Sequence, residues 1–152
     1  MKFIIAILFA LVMPLSHTAE PEFSLKIGED GVVNLDSSDW DIVSQELNYD
    51  FYLAKVVTHV GNDYYRLYSW TEFREAEEYS YLKAPVKRML SYGFMNCSDG
   101  TFSLMGSLYL DQNNKVLDST GYDFGQYLVE VLTPNTSRNK AYKKVCVSGH
   151  NI

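Results

Sequence analysis

Histidine and cysteine are scarce in this chain, and it has no long apolar run beyond its first residues. Its 152 residues include three histidines and two cysteines. His17 falls in the N-terminal leader, which leaves His59 near the end of an apolar stretch and His150 in the final tail. Neither has a recognisable nucleophile, base or co-ligand beside it. The patterns GxSxG, HExxH, GxxxxGK[ST] and CxxC are absent, so no local motif marks a serine elbow, a zinc helix, a phosphate loop or a dithiol site. Asp111-Gln112-Asn113 opens like a calcium loop, but Val116 stands where that loop needs glycine and Tyr122 where it needs a bidentate glutamate. Carboxylates are plentiful enough for a glycosidase-like pair, yet nothing singles two of them out. A small secreted hydrolase is therefore the weakest of the functional readings, and no catalytic residue, cofactor or metal is expected. Cations are in the minority too: 13 Lys and Arg against 19 Asp and Glu give a net charge of −6. That balance argues against a nucleic-acid partner, because neutralising phosphates takes clustered positive charge.

The leader is the clearest feature present. Lys2 precedes the unbroken apolar run Phe3–Met13, Pro14 ends it, and Ser16-His17-Thr18-Ala19 leads to Glu20. This is the layout of a secretory signal peptide, too short to span a bilayer. Cleavage is expected after Ala19 or within a few residues of it. The expected division is a signal peptide over 1–19, a loosely ordered lead-in over 20–38 and one α+β domain over 39–152. No second long apolar segment follows, so the mature chain is expected to have no transmembrane segment. No cysteine near residue 20 offers a lipid anchor. Two cysteines in an exported chain, Cys97 and Cys146, are expected to pair, against the alternatives of two free thiols or a metal site.

The stretch Ser91–Ser119 organises the domain. It reads as strands over Val86–Asn96, Thr101–Leu110 and Lys115–Ser119, joined at Ser98-Asp99-Gly100 and Asp111-Gln112-Asn113-Asn114. Such Asp-Gly and Asn-rich clusters supply the positive dihedrals of tight turns. Upstream, a short strand at Val32–Leu35, a strand opening at Trp40 and an aromatic strand over Tyr49–Val60 precede a turn at Gly61-Asn62-Asp63. Tyr64–Phe73 resumes with apolar bulk on both faces, so another element should cover one of them. Thr71–Glu78, with its four glutamates, reads as a solvated loop or short helical turn. Phe124–Leu132 reads as a loop or short helix. A helix then starts behind Asn135 or Thr136 and runs to about Cys146, with Ala141, Tyr142 and Val145 inward and Lys140, Lys143 and Lys144 at its negative pole. Gly93 and Gly106 read as bulges within strands. The expected fold is α+β: a single antiparallel meander sheet of five or six strands with a C-terminal helix packed on it.

Twelve tyrosines are the positive compositional signal. Tyr79 and Tyr81 lie just before Lys83, Lys87 and Arg88, the one compact basic patch. Tyrosine and arginine supply rigid contact area at interfaces, so these five residues are the candidate partner-binding surface. Their alternative role is ordinary sheet packing and charged edge protection.

The order of landmarks resembles the bacterial surface-adhesin protein E family. Trp40 opens the domain, Tyr49-Asp50-Phe51-Tyr52 follows, and Trp70 sits in the next strand. Tyr92-x4-Cys97, Tyr109-Leu110-Asp111, Lys115-Val116-Leu117-Asp118-Ser119, Pro134-Asn135-Thr136 and Val145-Cys146 complete the series. The resemblance spans Trp40 to Cys146. It implies a single sheet with a helix tethered by a Cys97–Cys146 bridge. It also implies export in a Gram-negative bacterium, to the periplasm or the cell surface. The expected function is binding of host extracellular-matrix or serum proteins. The second expectation is a periplasmic small-molecule-binding or envelope-maintenance protein with a pocket between sheet and helix.

Overall fold

A computed structural model describes residues 25–121 and 128–148. The signal-peptide reading, the start of the lead-in and His150 lie outside the described residues.

Ten strands form. Within the expected lead-in, β1 (Lys26–Ile27) and β2 (Val33–Asn34) make a small antiparallel hairpin. A 3-10 turn at Ser37–Asp39, capped by the Asp36 carboxylate on the Ser38 amide, delivers the chain to β3 (Trp40–Gln45). Then come β4 (Tyr49–Ala54), β5 (Thr58–Gly61), β6 (Tyr64–Glu77), β7 (Val86–Asn96), β8 (Thr101–Leu110), β9 (Val116–Gly121) and β10 (Leu128–Val131). From β3 onward these make one antiparallel sheet in the order β10-β8-β7-β6-β4-β3, with β5 added to β6 and β9 to β8.

The sheet thus has eight strands rather than five or six, and two local events account for the excess. The run Tyr49–Val60 divides because Val57 leaves the ladder to fill the core; β4 pairs with β6 as far as Leu53↔Ser69, and β5 resumes at Thr58↔Arg66. Leu128–Val131, expected as loop or short helix, is a strand paired to β8. Thr71–Glu78, expected as a solvated loop or short helical turn, continues β6 as far as Glu77, with Glu72 opposite Arg88 and Glu77 opposite Val86. A cross-strand partner overrides the local charge pattern there.

The turns behave as their residues suggest. Gly61, Asn62 and Asp63 take φ of 104°, 47° and 63°, and Gly100 and Asn114 take 68° and 63°. The β7–β8 ladder slips between Tyr92 and Gly93, leaving Met105 as the extra residue between Leu104 and Gly106. A Cβ at Gly93 would lie 2.3 Å from the Ser103 carbonyl oxygen, so only glycine lets the strands approach this closely.

Each face of the sheet carries a packed cluster. On one, Phe51, Leu53, Leu67, Met95 and Phe102 pack with Val57 and Leu132 beneath Ala141 and Val145 of the C-terminal helix. That helix, α1 (Ser137–Tyr142), starts behind Thr136, whose hydroxyl accepts from the Asn139 amide, and continues as a π-helical turn over Lys143–Val147. On the other face Trp40, Ala54, Trp70 and Leu90 form a second cluster, with Leu25 and Leu35 packed against it. The N-terminal hairpin is pinned there by bonds from Val33 N to Asn114 O (2.9 Å) and Val116 N to Gly31 O (3.0 Å).

Cys97 and Cys146 are bonded, with Cα atoms 5.5 Å apart and a separation of 49 positions in sequence. Replacing both with serine should remove about 4 kcal/mol of stability on the chain-entropy account. Urea denaturation with and without reductant checks this. A wild-type midpoint unmoved by reductant would contradict it.

Candidate interaction surface

The loop between β6 and β7 carries three of the five candidate residues. Its peptide turns at Tyr79–Leu82, where the Leu82 amide bonds the Tyr79 carbonyl at 2.9 Å. Tyr81 stands out from it at 62% exposure, among the largest for any described aromatic side chain. Tyr79 is half-buried and lies 5.7 Å from the Tyr81 ring and 5.9 Å from that of Tyr109, tilted by 57° and 61°. Tyr109 comes from β8, and it was missed in the sequence because only strand register brings it beside this loop. Burial first, then the Glu77 charge, raises the Tyr79 phenol; burial first, then the Tyr81 hydroxyl, raises that of Tyr109. Both therefore stay neutral hydrogen-bonding groups over the physiological range. Lys83 is exposed in the same loop, beside an open depression of about 400 Å³ lined by Glu78, Tyr79, Leu82 and Pro85.

Lys87 and Arg88 are placed differently. As neighbours in β7 they leave the sheet on opposite faces. The Lys87 amine donates to the carbonyls of Phe73 (2.5 Å) and Arg74 (2.8 Å). The Arg88 guanidinium donates to Glu72 Oε1 and to Asn114 Oδ1, both at 2.8 Å, and lies over the Trp70 ring, 5.7 Å from its centroid. Trp70 in turn meets Trp40 at 5.9 Å and Tyr52 at 4.6 Å. Burial, then the charges of Glu72 and Asp50, raises the Tyr52 phenol in this cluster. So the structure brings Tyr79, Tyr81 and Lys83 together and spends Lys87 and Arg88 on holding strands.

A second cluster lies where α1 meets the sheet. Lys140 Nζ reaches Glu46 Oε1 at 2.7 Å and Ser44 Oγ at 3.0 Å. Ser137 Oγ bonds Ser44 Oγ at 3.2 Å and lies 3.2 Å from the Tyr49 hydroxyl. One turn along, Lys144 meets Asp41 at 2.6 Å. Lys140 and Lys144 thus bind carboxylates of β3 and its following turn rather than the helix's own terminal carbonyls. The Lys140 hydrogen bond is the main cause, with that of Ser44, of the lowered Glu46 carboxyl. The spacing Ser137-Arg138-Asn139-Lys140 sets a serine and a lysine on one helical face, which is the signal that sequence reading passed over. Lys140 donates to Ser44 and Glu46 together, so it ties the helix to β3 and the turn that follows it. The cluster is a clamp.

Beside the clamp a cavity of about 270 Å³ opens between sheet and helix, lined among others by Tyr49, Phe51, Phe73, Met89, Ser137 and Arg138. On the opposite face a groove of about 470 Å³ runs past Val60, Tyr64, Phe94 and Val129. The His59 ring lies tilted against that of Tyr65, with centroids 4.9 Å apart. Among the described residues no group of His, Cys, Asp and Glu could hold a metal, and no helix is long and apolar enough to cross a membrane.

An eight-stranded antiparallel sheet closed by one disulfide-tethered helix defines a recognisable fold. Solved structures of Haemophilus influenzae protein E are similar to it in fold. One, in crystal form II, superposes with a TM-score of 0.54 at 14% identity, covering 76% of this chain and 91% of that one. Another gives 0.53 at 14% identity over 78% and 91%. Protein E from a non-typeable strain of the same organism gives 0.53 at 12% identity over 82% and 85%. At these identities the likeness is one of fold. No family model matches the sequence, and no curated protein does.

The two kinds of basic residue are separable by stability. Arg88→Ala leaves the Glu72 carboxylate without its ion-pair partner and should cost roughly 2 kcal/mol; Lys83→Ala should stay within about 0.5 kcal/mol. Thermal or urea unfolding of the purified variants checks this, and equal effects would contradict the assignment.

Proposed function

We propose that this chain is an exported, non-enzymatic binding protein that presents its β6–β7 loop to a protein partner, with host extracellular-matrix or serum proteins as the partner class. The observation that carries the reading is Tyr81, 62% exposed and braced by its contact with Tyr79. A tyrosine held by ring contacts offers contact area at little entropic cost, which is why tyrosines concentrate at interface centres. The protein E-like fold supports the same reading, as does the leader Met1–Ala19. With Lys87 and Arg88 occupied internally, the contact residues reduce to Tyr79, Tyr81 and Lys83.

The sheet–helix cavity of about 270 Å³ favours the second reading, a periplasmic protein that holds a small molecule or serves envelope maintenance. Its aromatic and Met lining with a few hydroxyls is the usual make-up of a ligand pocket. A compound retained through native purification and seen by mass spectrometry would favour it over the first.

Immobilised matrix and serum proteins probed with the mature chain test the leading reading. Tyr81→Ala should weaken binding about thirtyfold, a loss of ~2 kcal/mol, if this ring is a central anchor. Binding unchanged in Tyr81→Ala and Lys83→Ala would remove the loop from the contact surface. No binding to any of these proteins would remove the partner class.

A further inference from the structure

The surface around Tyr81 has the opposite sign from the one its neighbouring sequence suggests. Read linearly, the tyrosines adjoin a basic patch. In the fold the cations are withdrawn: Arg88 is bound to Glu72, Arg74 to Asp50 at 2.8 Å, and the Lys87 amine to two carbonyl oxygens. What stays beside the rings, apart from Lys83, is acidic. Glu77 acts on the Tyr79 phenol and Asp118 on that of Tyr109, opposite which it sits in the β8–β9 ladder. Glu78 lines the same depression as Tyr79. Among the described residues none of these three carboxylates is in an ion pair, and Lys83 is the one cation in the loop.

We propose that the Tyr79–Tyr81–Tyr109 face receives a Lys- and Arg-rich polypeptide segment, its cations seated on the tyrosine rings and the flanking carboxylates Glu77, Glu78 and Asp118. This rests on the binding-protein reading and narrows its partner. Ring faces attract cations through their quadrupole, modestly at an exposed site, and carboxylates at the rim add attraction of the same sign. The chain's net charge of −6 steers a basic partner inward and repels an acidic one. Rings 5.7 and 5.9 Å apart are in mutual contact, so no single small cation fits between them. A flexible chain bearing several cations uses the outer ring faces and the rim together.

The test is fluorescence anisotropy of labelled octa-arginine and octa-glutamate peptides on the mature chain, at an ionic strength of about 0.1 M where long-range attraction is largely screened. Octa-arginine should bind and octa-glutamate should not. Tyr81→Ala and the double variant Glu77→Gln/Glu78→Gln should each weaken octa-arginine about fivefold or more. A remote control, Glu29→Gln/Asp39→Asn, removes equal charge from exposed positions and should change binding by less than about twofold. Preference for octa-glutamate overturns the proposal, as does an equal loss in the remote control, which would mean attraction to net charge alone. In the same assay the matrix and serum proteins are added. If they bind and octa-arginine does not compete, the basic partner is wrong and the binding reading stands; if nothing binds, both fall.

Discussion

The attachment of the C-terminal helix to the sheet is the constraint on which the rest depends. The helical segment is only Ser137–Tyr142 with one wide turn to Val147, far below the length at which a helix holds itself in water. It is held from outside. The disulfide anchors its end to the β7–β8 turn, and the Tyr142 hydroxyl donates to the Cys97 carbonyl beside it. Lys140 and Lys144 tie its flank to Glu46 and Asp41, and Arg138 pairs with Glu130 of β10. With the helix in place, Leu53, Met95 and Phe102 are almost wholly buried. Without it they would line one bare face of the sheet.

The opposite face has a different solution. Its aromatic cluster is covered by Leu25 and Leu35 and bordered by the Arg88–Glu72 pair. The β6–β7 loop lies outside both packed clusters, and its residues are not committed to the core. Among the described residues, the β6–β7 loop combines exposed aromatic surface with carboxylates that are in no ion pair. The role proposed for it rests on the packing: the basic side chains of β7 are consumed as structural braces, and the tyrosines and glutamates remain.

Much of this was legible in the sequence, for local reasons. The bounds of β7 and β8 follow from alternation between turn residues whose positive dihedrals are realised at Gly100 and Asn114. The start of the helix follows from Thr136, which caps it through its hydroxyl. Other features depend on residues far apart in the chain. Glu72–Glu77 looks solvated until Arg88 and Val86 are set opposite it. Val57 looks like part of a strand until a helix more than eighty residues later needs filling beneath it. Arg88 looks free until its partners Glu72 and Asn114 arrive, and Tyr109 belongs to the aromatic face only through strand register. Spacing carries the elements well. It does not carry which charges are spent between them.

The most direct test of the account is whether the β6–β7 loop faces the outside of the cell. Intact cells treated with a protease would be probed with an antibody against the mature chain, beside a periplasmic marker. The binding-protein account predicts that the signal is lost while the marker is spared. Protection of the chain until the outer membrane is opened would contradict it and leave a periplasmic role.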